Sequence, residues 1–106
     1  MPATDPQQRY DALVDDVLTR HGDAERSQMM GMPCVKRNGK LAFGFSRSEG
    51  AAVFKLEDPI AHGEALKLQG THLFDPSGQG RPFKEWVAVP AEHADEWERF
   101  AERALA

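Results

Sequence analysis

Three short apolar runs in the middle of the chain organise its hydrophobic pattern. They are Met30–Val35, Leu41–Phe45 and Ala51–Leu56. Asn38-Gly39 separates the first two runs, and this pair favours a two-residue hairpin loop because both positions of such a loop need a positive φ. The polar segment Ser46–Gly50 separates the second run from the third. We therefore predict three antiparallel strands that lie side by side.

Side chains in the second and third strands alternate between the two faces of the predicted sheet. One face is predicted to pack beneath helices, and it carries Leu41, Phe43, Phe45, Ala52, Phe54 and Leu56. The opposite face carries smaller and less apolar side chains, namely Ala42, Gly44, Ala51, Val53 and Lys55. Both faces of the sheet can therefore pack against another layer, whereas the predicted helices are enough to cover about one face.

Helical periodicity is found near both ends of the chain. Asp5-Pro6 predicts a capped helix start, and the stripe that follows at helical spacing consists of Tyr10, Leu13, Val14, Val17 and Leu18. The segment Gly22–Ser27 is predicted to be a polar link into the sheet. The last helix is predicted to span Ala91–Ala106.

Asp58-Pro59 repeats the cap-and-proline pattern, and it predicts a second helix to about Leu68 with a thin inner face that includes Ile60. Thr71–Phe74 is predicted to be a short edge strand, followed by a loop over residues 75–82. The last four residues of the predicted strand Lys84–Val89 are apolar on both faces. This pattern indicates an interior strand that is covered on both sides, or one that meets another chain on one side. The order α-β-β-β-α-β-β-α predicts a single α+β domain of residues 1–106 with five strands.

Charge is distributed unevenly along the 106 residues, whose formal net charge is −4. Residues 1–26 carry three Arg against six acidic residues, and residues 91–106 carry two Arg against five, so each segment has a net charge of −3. Residues 27–90 carry eight Lys and Arg against six acidic residues, a net charge of +2. The overall acidity argues against a dedicated duplex-DNA binder.

A single cysteine, Cys34, excludes an internal disulfide and favours a reducing compartment. The chain shows neither a signal-peptide pattern nor an apolar run long enough to span a membrane. We therefore expect a cytoplasmic protein without membrane partners.

The loop over residues 75–82 contains Gly78-Gln79-Gly80-Arg81, in which flexible backbone amides lie beside a cation. Such amides can form an anion-binding nest, although glycine and proline also form ordinary turns. An ordinary hairpin connection is the favoured interpretation. The alternative is a ligand or partner surface formed by Gly78, Gly80, Arg81 and Lys84.

Catalytic and metal-binding patterns are not evident in the sequence. The four histidines have no metal-ligand spacing, and His72 is expected to be the one that is partly buried. Cys34 is expected to be a small core residue rather than a nucleophile. We predict no catalytic residue, no metal and no cofactor, and an enzyme is the least supported class.

Aromatic and basic residues interleave around the last strand, where Phe83 and Trp86 flank Lys84. This pattern is also typical of single-strand nucleic-acid platforms. Candidate nucleic-acid contacts are Lys36, Arg37, Lys40 and Arg47. The favoured interpretation is nevertheless that Trp86 is a core residue of a central strand.

Met29–Pro33, Asn38–Phe43 and Val53–Leu56 together resemble the N-terminal domain of the TfoX/Sxy competence-regulator family and, more broadly, the YjbR/MmcQ-like small α/β proteins. The similarity is concentrated in residues 28–57. It implies a two-layer domain in which helices pack on a five-stranded antiparallel sheet, with the last strand inside the sheet. It supplies no catalytic residues, and the wider group implies nucleic-acid association as one alternative.

These observations favour a non-enzymatic, regulatory interaction module that presents the outer sheet face and the loop over residues 75–82 to a protein partner or to a second copy of itself. A nucleic-acid-associated domain is the first alternative. A small-ligand or enzymatic site near Gly78–Arg81, Cys34 and His72 is the second.

Overall fold

A computed structural model describes residues 5–29, 31–75, 80 and 82–105. Its helices are α1 (Pro6–Arg20), α2 (Pro59–Leu66) and α3 (Trp97–Leu105), with a 3-10 helix at Ala91–Glu96. Its strands are β1 (Ala24–Met29), β2 (Met32–Arg37), β3 (Lys40–Ser46), β4 (Ala51–Lys55), β5 (His72–Phe74) and β6 (Phe83–Pro90). All strand pairs are antiparallel in one six-stranded sheet of order β1-β2-β3-β4-β6-β5.

The α+β class and the antiparallel sheet are thus confirmed, but the predicted strand number and element order are wrong. The additional strand is β1, which occupies most of the segment interpreted as a polar link. It pairs with β2 along its whole length, from Ala24 opposite Arg37 to Met29 opposite Met32. Its sequence shows no apolar alternation because it is an edge strand, in which half of the residues are exposed and the other half are only partly buried.

The hairpin predicted at Asn38-Gly39 is confirmed. Both residues have a positive φ, 54° and 78° respectively, as a type I′ loop requires. The short strand β5 is at the sheet edge and β6 is inside the sheet, as predicted.

A β-bulge between β2 and β3 corrects the predicted faces of two residues. The register shifts between Val35 and Lys36, so that Val35 pairs with Phe43 while Lys36 pairs with Leu41. Ala42 consequently joins the core beneath the helices, and Leu41 packs against the opposite face. A bulge reverses the side-chain alternation locally, which a strict period of two does not anticipate.

The first two helices begin where their caps predict. Asp5 accepts a hydrogen bond from the Gln7 amide at 3.2 Å, and Asp58 accepts one from the Ile60 amide at 3.1 Å. Ile60 does not belong to the inner face, since it is 67% exposed. The last predicted helix is instead a 3-10 segment, which contains a kink at His93, followed by α3 from Trp97.

The main core lies between the helices and one face of the sheet. Tyr10 stacks on Phe45 with ring centroids 5.3 Å apart, and Phe54 contacts Phe100 at 6.0 Å. The buried Trp97 donates an indole hydrogen bond to the Val89 carbonyl at 3.1 Å, which ties the start of α3 to β6. Within the described part of the chain, no helix has the length and apolar character needed to cross a membrane.

Candidate interaction surface

A second apolar cluster lies on the sheet face opposite the helices, which we call the outer face. This outer-face cluster consists of Ala51, Val53, Phe74, Trp86 and Ala88, with Met29, Met32 and Leu41 packed against it. Every one of these residues belongs to a strand. The buried residues of the three described α-helices belong instead to the main core. The described helices therefore cover one face of the sheet and contribute nothing to the other.

Small side chains occupy the centre of the outer face. The strand register places Ser27, Cys34, Gly44, Val53, Ala88 and His72 in one row across the sheet. Gly44 has to be small, because a Cβ there would lie 2.9 Å from the Pro33 carbonyl oxygen and 3.1 Å from the Cys34 Cβ. The middle of the outer face is therefore built mostly from small side chains.

The centre of this face is shielded within the chain. Val53 and Ala88 are fully buried, and Trp86 is only 8% exposed. Trp86 is therefore a buried residue of the outer-face cluster. Among the described apolar residues, this face offers to solvent, at its rim, the half-buried Met29, Met32 and Leu41, together with Phe83, which is 39% exposed and packs edge-on against Phe74.

His72 lies at the opposite side of the sheet from β1, and it is exposed rather than partly buried as expected. Its Nε2 is 2.6 Å from Oε1 of Glu49, and its side chain is 51% exposed. Glu49 belongs to the β3–β4 turn, so this contact spans the width of β4 and β6. The prediction was wrong because β5 is an edge strand, and its first residue, His72, lies outside the apolar cluster.

Cys34 is buried, as predicted. Burial raises the pKa of its thiol, and a hydrogen bond with the Ser27 side chain opposes this shift. Four inter-strand steps of about 4.8 Å separate Cys34 on β2 from His72 on β5, roughly 19 Å in all. The structure therefore does not bring these two residues into one site.

The glycine loop can be described only in part. Gly78 and Arg81 lie outside the described residues, whereas Gly80 is exposed and donates its amide hydrogen to Oδ2 of Asp75 at 2.9 Å. Lys84 is exposed, and its carbonyl oxygen accepts a hydrogen bond from Nε2 of His62 at 2.8 Å. Among the residues placed by the structure, no three His, Cys, Asp or Glu side chains are arranged to hold a metal ion.

The predicted nucleic-acid contacts are divided between the two ends of β3. Lys36, Arg37 and Lys40 lie in or beside the β2–β3 hairpin. Arg47 follows the other end of β3, where its Nε donates to Oε1 of Gln7 at 3.1 Å. Arg37 is also engaged, because its Nε lies 2.9 Å from Oδ2 of Asp23. These four cations do not form one continuous surface.

A groove of about 510 Å³ beside the hairpin contains two of them together with cations that sequence reasoning missed. Its charged lining residues are Arg37, Lys40, Lys55, Glu57, Asp58 and Arg103, and we call it the basic groove. Lys55 ends β4 and Arg103 is in the last turn of α3. No local sequence signal connects these positions, because only the tertiary fold brings the end of α3 to the hairpin.

Comparison of the chain with protein-family models, with curated proteins and with solved structures gives no match.

Proposed function

We propose that the protein is a non-enzymatic cytoplasmic module that acts by self-association through the outer face of its sheet. The observation that carries this proposal is the outer-face cluster, which is built from strand residues alone. A sheet that is apolar on both faces favours a second covering layer. The described helices provide one layer only.

The rim of the outer face supplies the contact surface. Met29 and Met32 lie where β1 meets β2, and Leu41 lies towards the other end of the sheet. Methionine side chains adapt to irregular partners because they are unbranched and flexible. The apolar rim is therefore the part of the outer face that a second copy would contact.

A second copy is the partner that the charges on this face favour. The register places Lys36 and Lys55 near one end of the outer face, whereas Glu49 lies near the other end. Two copies stacked face to face with their strands antiparallel would bring the lysines of one copy near Glu49 of the other. A two-fold dimer makes such a contact twice, and charge complementarity fixes its register.

The resemblance to the TfoX/Sxy N-terminal domain is part of this proposal, and so is a regulatory role. It is supported by the agreement of residues 28–57 with strand patterns of that family and by their location in the sheet. The sixth strand, β1, is an addition to the five strands that the resemblance implies.

The test is the molar mass in solution, measured by light scattering and sedimentation over a wide concentration range. We expect a dimer for the wild-type chain. Met32→Glu and Leu41→Glu should each shift the equilibrium towards monomer, because a carboxylate at the rim would have to be desolvated in the interface. Ile60→Glu is the matched control, since Ile60 is 67% exposed on α2 and should leave the dimer intact.

Circular dichroism of each variant checks that the fold is retained. A wild-type chain that is monomeric at high concentration, with no binding of a hydrophobic dye, would contradict the proposal. A dimer that persists equally in all three variants would place the interface on another surface and contradict it as well.

A further inference from the structure

The basic groove is electrostatically distinct within an acidic protein. Its lining has four cationic and two carboxylate side chains, a balance of +2, although the chain has a formal net charge of −4. Of two other described cavities, one is lined with an excess of negative charge and the other has no net charge. The cavity between α1 and the 3-10 helix has one arginine against three carboxylates, and the one beside Cys34 has one arginine against one carboxylate.

Some hydrogen-bonding capacity of the groove cations is already used within the fold. Arg37 donates from Nε to Asp23 and from Nη1 to the Leu105 carbonyl at 2.8 Å. Arg103 donates from Nη1 to Oδ2 of Asp58 at 3.2 Å. A guanidinium has five N–H donors, so these contacts leave donors on both arginines.

The two lysines are less engaged than the arginines. Lys55 approaches Oε1 of Glu57 at 3.5 Å, and both side chains retain access to solvent. Lys40 is exposed, and no carboxylate among the described residues lies within ion-pair distance of it. The ammonium groups can therefore reorient towards an incoming anion at little cost.

We propose that the basic groove binds a phosphate monoester. The lining has an excess of two positive charges, one of which is offset by Asp23 behind Arg37, and this positive balance favours a phosphate monoester, which is close to a dianion at pH 7. Arginine and lysine side chains from the hairpin, the end of β4 and the end of α3 surround the groove, and a phosphate group accepts hydrogen bonds from several directions at once. A volume of about 510 Å³ also suits a small phosphorylated molecule.

The groove lies at one end of the sheet and shares Leu41 and Lys55 with the surface of the proposed dimer. Binding of the nucleotide by the Met32→Glu variant, whose substitution lies outside the groove, separates this proposal from the dimer. The phosphate monoester can come from a small phosphorylated molecule or from the terminal phosphate of a nucleic acid. Both sources present the same dianionic group, so the probes must distinguish them.

The test is isothermal titration at low ionic strength and constant pH with methyl phosphate, dimethyl phosphate and adenosine 5′-monophosphate. We expect methyl phosphate and the nucleotide to bind, and dimethyl phosphate to bind at least about tenfold more weakly because it has one negative charge fewer. The Lys40→Gln/Lys55→Gln double variant should lose at least about tenfold in affinity for the nucleotide. Arg47→Gln should bind as the wild type does, since Arg47 is at the opposite end of β3.

A short oligothymidylate with and without a 5′-phosphate separates the two sources. Tighter binding of the phosphorylated strand assigns the groove to a nucleic-acid end, and binding of the nucleotide alone assigns it to a small molecule. The proposal is overturned if neither methyl phosphate nor the nucleotide binds, or if dimethyl phosphate binds as tightly as methyl phosphate does. It is also overturned if Arg47→Gln weakens nucleotide binding as much as the double variant does. Equal binding of the two oligonucleotides with no nucleotide binding also overturns it, since the ligand would then be the diester backbone.

Discussion

Gly44 is a position at which the sheet leaves no room for a side chain. Its backbone approaches β2 so closely that a Cβ would lie 2.9 Å from the Pro33 carbonyl oxygen. The bulge that moves Ala42 into the core begins directly beside this contact. Glycine at position 44 is therefore required by packing rather than by a special φ.

We expect Gly44→Ala to lower the free energy of unfolding by about 1–3 kcal/mol, because the added methyl group must displace backbone atoms of β2. Urea denaturation monitored by circular dichroism measures this difference. Gly63→Ala in α2 is the control, since a Cβ there meets no atom within 4 Å. It should stabilise the protein by about 0.5–1 kcal/mol through the higher helix propensity of alanine. Equal effects of the two substitutions would contradict the packing argument.

The helices and hairpins could be predicted from sequence where a local rule applies. The Asp-Pro starts and Asn38-Gly39 correspond to caps and a turn in the structure. β1 was missed because an edge strand has no need of apolar alternation. The sequence does contain one residue that could have predicted β1. Gly31 has a φ of +79° and lies in the turn that joins β1 to β2.

The candidate sites were less predictable than the elements that carry them. The two-faced sheet was visible in the alternation of β3 and β4, so the outer face could be anticipated. The basic groove could not, because Lys40 and Arg103 are distant in sequence and meet only when α3 packs near the hairpin. Neither the bulge nor a contact between distant elements leaves a periodic trace in the sequence.

Asp58 has two roles at the start of α2 that can be separated by substitution. One oxygen caps the Ile60 amide, and the other is 3.2 Å from Nη1 of Arg103. Asp58→Ala removes both contacts and should cost about 1–2 kcal/mol of unfolding free energy. Asp58→Asn keeps a capping oxygen and loses only an exposed ion pair, so it should cost less than about 1 kcal/mol. Urea denaturation of both variants distinguishes them, and equal losses would show that the ion pair, not the cap, stabilises this end of α2.

Across the whole molecule, the acidic terminal segments are joined to other elements by ion pairs. Examples are Arg9 with Asp95, Arg20 with Glu102, Arg26 with Asp15, Arg37 with Asp23, Arg99 with Glu64 and Arg103 with Asp58. Most of these side chains are well exposed, so each pair contributes little at neutral pH. Their collective effect should become visible when the carboxylates are protonated together.

Acid should therefore destabilise the protein in a way that depends on Asp23. The hydrogen bond from the Arg37 guanidinium holds the pKa of the Asp23 carboxyl below its ordinary value. A lowered pKa in the folded state adds stability above the unfolded-state pKa, and this contribution is lost as the pH falls through the folded-state pKa. With every carboxyl protonated, 13 Lys and Arg and four His leave a charge of +17, so repulsion adds to the loss.

We accordingly expect the melting temperature to fall as the pH is lowered from 5 to 3, and added salt to reduce the part of the fall caused by repulsion. Asp23→Asn should be less stable than the wild type at pH 7 and should lose less on acidification, because the charge that is titrated in the wild type is already absent. Asp11→Asn is the control, since the Asp11 carboxylate accepts a hydrogen bond from the side-chain amide of Gln7 rather than from an arginine. The melting temperature of Asp11→Asn should follow that of the wild type at every pH. A response equal to that of Asp23→Asn would show that net charge alone, rather than the pair with Arg37, determines the loss of stability in acid.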